Sequence, residues 1–171
     1  TLSVTADGWH NSGTVQAQDS LNATLGGSLD NQGQMLSQGL ADITATQLNN
    51  DGTLAAKDLR ISAPDITSNG IVQGNDSLTL VTQRLTTGSN GQLVSGGGLN
   101  LNLETFNHQG LLYVQDGLTL TGTTLVNGGS LEAGALDATL GTLDNSGTLL
   151  AHNRATLRAD ALTSSGSIVA D

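Results

Sequence analysis

Leu143-Asp144-Asn145-Ser146-Gly147-Thr148-Leu149-Leu150-Ala151 reads as large apolar, any, Asn, any, Gly, any, large apolar, any, small. The Asn-x-Gly step is a turn signal, and the alternation after it is the period of a strand with one face buried. The same phrase occurs as Leu48-Asn49-Asn50-Asp51-Gly52-Thr53-Leu54-Ala55-Ala56. Working outward, it recurs around Gly13, Gly33, Gly52, Gly70, Gly91, Gly110, Gly129, Gly147 and Gly166, with spacings of 18 to 21 residues. Internal repetition at a period near 19 dictates a repeat architecture.

Two residues after each glycine stands an apolar residue: Val15, Met35, Leu54, Val72, Leu93, Leu112, Leu131, Leu149 and Ile168. Four residues after it the side chain is tiny, except at Val114. A second alternating pair follows, as in Leu59/Ile61, Leu78/Leu80, Leu99/Leu101 and Leu118/Leu120. A third apolar point precedes the next glycine by four residues: Trp9, Leu29, Leu48, Ile66, Phe106, Leu125, Leu143 and Leu162, with Leu85 six before Gly91. The region of Thr87-Gly88 therefore reads as a two-residue insertion bulging at a corner. Three short strands and three turns per repeat make one closed coil. Stacked coils give an all-β, right-handed parallel β-helix of about nine coils, each ~19 residues, with apolar columns ~4.8 Å apart. The rod would measure roughly 43 Å. No stretch sustains the helical i, i+3, i+4, i+7 pattern, and the leucine-rich-repeat signature is not kept.

Residues 1–171 read as a single segment. Leu2-x-Val4-x-Ala6 enters at a second strand and Ile168-x-Ala170 leaves just after a first. Neither end looks like a polar cap, and the chain begins at Thr1, so it is expected to be cut from a longer filament.

Composition narrows the function classes. Aromatic residues are 2% and charged residues 12% of the 171, and there is no cysteine, so thiol chemistry and disulfides are excluded. The net charge of −10 with five Lys and Arg argues against a nucleic-acid partner. No apolar run reaches the ~18 residues of a membrane-spanning helix.

The side-chain column at the Asn position is the strongest motif. Asn11, Asn31, Asn50, Asn127 and Asn145 should point inward and stack as a structural amide ladder, with Ser68, Ser89, His108 and Ser164 in the remaining coils. Glycine beside them would supply positive φ at the corner. His10, His108 and His152 do not form a metal motif, and His152 should face out. Asp58, Asp76, Asp116 and Asp137 lie near the turn into the second strand and would line up loosely as solvated acids. A glycan-cleaving enzyme on this fold needs clustered outward carboxylates, and Glu132 is the only acid on the outward positions of the first strand. No catalytic, cofactor or metal site is expected. An outward stripe of Leu36, Val94, Tyr113, Leu150 and Val169, joined by Ile71 and Leu111, is the candidate partner-contact surface.

The iterated Leu-x-Asn-x-Gly-x-Leu-x-Ala at Leu48–Ala56 and Leu143–Ala151 resembles the repeats of filamentous haemagglutinin. That family comprises large exoproteins of Gram-negative two-partner secretion systems, among them adhesins and contact-dependent growth inhibition toxins of the CdiA type. The resemblance covers nearly the whole chain. It implies a secreted, cell-surface, non-catalytic stalk, exported by an outer-membrane partner transporter. The stalk would project a receptor-binding or toxin module, or act as an adhesin segment that binds a surface receptor directly. The only proline lies in Ala63-Pro64-Asp65, so the family's Asn-Pro-containing secretion domain is not expected in these residues, and neither is a toxin nuclease.

Overall fold

A computed structural model describes residues 1–171. The chain is all β and winds through three faces per coil. On the first face, Thr14–Ala17 is followed by rungs beginning at Gln34, Thr53, Ile71, Gln92, Leu111, Ser130, Thr148 and Ser167, all parallel and in register. The second face starts at Leu2–Ala6 and continues through Leu21–Leu25, Ala41–Thr44, Leu59–Ser62 and Leu78–Val81. After a break it runs on from Leu99–Leu103 to Ala155–Ala159. The third face runs from Trp9–Asn11 to Leu162–Ser164 through nine rungs. The nine coils are those expected from the glycine spacing.

Alternation decides what lies inside. Leu29, Leu48, Val72, Leu93, Leu112 and Leu131 are completely buried, and Phe106 fills the third-face column at 1% exposure. Thirty-eight buried apolar residues form one continuous core along the axis. Each buried Leu contributes about 1.5–3 kcal/mol, and it is buried by its neighbours above and below, so no coil is stable alone. Trp9 packs against this core but is half-buried, because it lies in the first coil.

The corner glycines act differently from the expectation. None has positive φ. They are required by close approach: a Cβ on Gly33, Gly52, Gly70, Gly110, Gly129, Gly147 or Gly166 would run into the carbonyl oxygen of the stacked glycine one coil before. Gly13, in the first coil, has nothing within 4 Å of such a Cβ.

The insertion is Ser89-Asn90. Thr87 pairs with Ser68 and His108 in the third-face ladder, and Gly88 takes the place that Asn69 and Gln109 hold in adjacent coils. The extra pair forms an exposed turn closed by the Gly91 N–H donating to the Gly88 carbonyl, 2.9 Å. The second face has one interruption. Leu78–Val81 pairs with the coil before it and Leu99–Leu103 with the coil after it, but the two do not form a ladder with each other. A cleft of about 280 Å³ opens over this seam, walled by Ser77, Thr79, Gly98, Asn100, Gly117 and Thr119. Gly98 and Gly117 leave it unfilled.

Candidate functional site: the amide column and the outer rows

The inward polar column is built as its alternation demands. Asn11 Nδ2 donates to Asn31 Oδ1 at 2.8 Å, and Asn31 Nδ2 donates to Asn50 Oδ1 at 2.7 Å. Asn50 continues to the Ser68 hydroxyl at 3.1 Å. Farther along, Asn127 donates to Asn145 at 2.7 Å and Asn145 to Ser164 at 3.2 Å. The same Nδ2 groups also donate to corner carbonyls, as Asn31 does to Gly33 and Thr53. One primary amide thus holds the next coil's side chain and the backbone of two corners.

Thr87, not Ser89, fills the column slot in the coil with the insertion, and Ser89 is exposed. Beneath it His108 is fully buried. Its Nε2 lies 3.0 Å from the Ser130 carbonyl, which can only accept, so Nε2 carries the proton. Nδ1 then accepts from the Thr87 hydroxyl at 2.5 Å. Burial lowers the ring's pKa below the usual histidine value and so favours its neutral form, opposed by the Ser130 hydrogen bond. Imidazole has one N–H where asparagine has two. Having given it to Ser130, His108 has none left for the next coil, and Asn127 Oδ1 is buried without a partner. The column's hydrogen bonds run from coil to coil, with a fault at His108.

The outer rows carry the remaining candidates. Lys57–Asp76, Arg60–Asp42, Arg84–Asp65, Arg158–Asp137 and His152–Glu132 bridge adjacent coils at exposed positions. In the Arg84 pair the hydrogen bond between the partners lowers the Asp65 pKa and raises that of Arg84. Glu132 Oε1 accepts from the exposed His152 Nε2–H at 2.7 Å. The four acids expected to line up do not form a row. Asp58 accepts from the Ser77 hydroxyl at 2.6 Å, Asp76 pairs with Lys57, and Asp137 stands on the second face against Arg158. No group of three His, Asp or Glu side chains is placed to hold a metal ion.

Leu36, Val94, Tyr113, Leu150 and Val169 share one outer row of the first face, in the order Leu36, Ala55, Gln73, Val94, Tyr113, Glu132, Leu150, Val169. Gln73 and Glu132 divide it into short apolar pairs. Tyr113 is 37% exposed, with Val94 on the coil before it. No helix is long and apolar enough to cross a membrane.

The family profile described as haemagglutinin repeat matches residues 1–63. Over 110 residues the chain is 36% identical to the "tRNA nuclease CdiA" of Yersinia mollaretii, covering 64% of this chain and 4% of that protein. It is 39% identical over 114 residues to a "Toxin CdiA" of Escherichia coli, covering 65% and 4%. With the "Deoxyribonuclease CdiA" of Dickeya dadantii it shares 34% over 113 residues, covering 64% and 3%. The chain thus spans about 4% or less of the length of these relatives. No solved structure matches it. The profile match, these likenesses and the nine stacked coils together identify a filamentous-haemagglutinin-type repeat region, similar to a short stretch of the CdiA proteins.

Proposed function

We propose that these nine coils are a non-catalytic length of stalk in a secreted Gram-negative surface exoprotein. The stalk holds a receptor-binding or toxin module away from the cell during contact-dependent growth inhibition. The observation that carries this reading is where the repeated residues point. Leucine, asparagine and glycine columns all serve coil stacking, which makes a straight, stiff element. Support also comes from the relatives: the same segment is shared by proteins named for tRNA and DNA cleavage. A segment common to different nucleases does not define which nucleic acid is cut. Export through an outer-membrane partner transporter belongs to the same reading, and the cysteine-free sequence suits it.

The test is an in-frame deletion of these coils in the full-length exoprotein. The filament seen by electron cryotomography should shorten by roughly 43 Å, nine rungs at the strand spacing, with the terminal activity intact. An unchanged filament length would refute the stalk. A second reading, direct receptor contact, is favoured by the exposed Tyr113 beside Val94 on the outer row. Tyr113→Asp with Leu150→Asp should then abolish target-cell binding while the far-ultraviolet circular dichroism stays unchanged. Retained binding removes this second reading and leaves the first.

A further inference from the structure

Asn-Gly steps occur at Asn69-Gly70, Asn90-Gly91 and Asn127-Gly128. Such a step is inherently reactive. The glycine nitrogen can attack the asparagine Cγ, because glycine has no Cβ to hinder the approach or to restrict the backbone. In a folded chain the attack requires an accessible amide, a side chain free to turn and a following N–H free to leave its partner.

The fold treats the three steps differently. Asn127 is fully buried and its Nδ2 donates to Asn145 Oδ1 at 2.7 Å. The Gly128 N–H donates to the His108 carbonyl in the coil before, at 2.7 Å. Asn69 is exposed, but its Oδ1 accepts from the Asn90 N–H at 3.2 Å. Its side chain is folded over Gly88, where a Cβ would come within 2.9 Å of its Cγ. The Gly70 N–H donates to the Asn50 carbonyl, again one coil before, at 3.0 Å. Attack at either step withdraws a nitrogen from the bonds that join coils. Asn90 lies in the inserted turn, and its exposed side chain has no hydrogen-bond partner. The Gly91 N–H donates within its own turn, to the Gly88 carbonyl at 2.9 Å. Releasing it opens one local bond and leaves the ladders closed.

We infer that Asn90 is a site of spontaneous covalent modification, deamidating through a cyclic imide while the fold holds back Asn69 and Asn127. The Gly91 nitrogen loses its proton to hydroxide and bonds to Asn90 Cγ. The Cγ–Nδ2 bond breaks, and the nitrogen leaves as ammonia after taking a proton from water. A water molecule then opens the imide at one of its two carbonyls, giving aspartate or isoaspartate. Nothing is oxidised or reduced: the amide and one water become a carboxylic acid and ammonia. Either product adds one negative charge to a chain of net charge −10. Isoaspartate also lengthens the main chain by one methylene. The turn at Ser89-Asn90 already lies outside the three ladders, so it absorbs the added length. The inference does not depend on the stalk reading.

Peptide mass spectrometry of the 171-residue chain, held at mildly alkaline pH, tests this. Each site is followed by the mass gained when an amide becomes an acid. In the folded chain Asn90 should react at least about tenfold faster than Asn69 or Asn127. In guanidinium chloride the three rates should converge to within about threefold, because the same Asn-Gly chemistry is then equally solvated. Folded chain aged until Asn90 is converted should unfold at the same denaturant concentration as fresh chain. An Asn90 that reacts no faster than the other two in the folded chain overturns the inference. So does an Asn90 slowed by folding as strongly as they are, or an aged chain with a lowered unfolding midpoint.

Discussion

His108→Asn should repair the fault in the amide column. Asparagine supplies two N–H groups where imidazole supplies one. The first can replace the bond to the Ser130 carbonyl, now 3.0 Å, and the second can reach the orphaned Asn127 Oδ1. The new Oδ1 can accept from Thr87, as Nδ1 does now. Satisfying a buried acceptor recovers about 1–3 kcal/mol. Against this stands the lost packing of the ring, whose centroid lies 5.3 Å from that of Phe106. Asparagine is smaller by roughly two methylene equivalents, worth about 1.5 kcal/mol at most. The balance should fall between neutral and about 1.5 kcal/mol stabilising. The pH dependence is the sharper readout. Burial lowers the folded-state pKa of His108, so between that value and about 6.5 the unfolded chain binds more protons. Stability contributed by the neutral ring is full above about pH 6.5 and is lost as pH falls through the folded pKa, at no more than about 1.4 kcal/mol per pH unit. Urea unfolding at pH 7.5 and pH 5, with hydrogen exchange at the Leu125–Asn127 amides, measures both effects. Destabilisation by more than about 1.5 kcal/mol at pH 7.5 exceeds the packing loss and would show that the orphaned acceptor costs nothing. A wild-type acid sensitivity unchanged in the variant would refute the protonation argument.

Two further perturbations separate the columns. Gly110→Ala forces a Cβ against the Gly91 carbonyl and should cost about 1–3 kcal/mol in denaturant unfolding, whereas Gly13→Ala meets open space and should be neutral or slightly stabilising. Equal effects at the two positions would show that stacking does not select glycine. Asn31→Ala strips the donor from Asn50 Oδ1 and from two corner carbonyls, and should lose about 2–3 kcal/mol. Asn31→Ser, which copies the natural Ser68, should lose visibly less; the two variants melting together would remove the amide ladder from the energetics.

Much of the fold was legible because each column repeats nine times, and repetition averages out what one copy leaves ambiguous. Phase alone puts Leu85 and Phe106 in the core, where both are buried. The errors fell where phase fails. Counting back from Gly91 puts Ser89 in the amide column, but register is set by the buried Leu85, and counting forward from it gives Thr87. Both carry a hydroxyl, so composition could not choose. The corner glycines were visible, but their reason was not: positive φ and a stacked backbone demand the same residue, and only coordinates distinguish them. The orphaned Asn127 oxygen was likewise hidden, since it follows from which nitrogen of His108 holds the proton. The outer row reads as a stripe because sequence shows its apolar members more readily than the Gln73 and Glu132 that divide it.

The seam on the second face has a mechanical consequence. A stack of coils resists flexing as a tripod does, with hydrogen-bonded ladders on three sides. Between Leu78–Val81 and Leu99–Leu103 one leg is missing, while the first- and third-face ladders run through. Those two ladders define the axis about which the rod yields, so its compliance is concentrated at one joint and points in one direction. Pulled along its length or bent toward that face, the shaft gives first between its fifth and sixth coils.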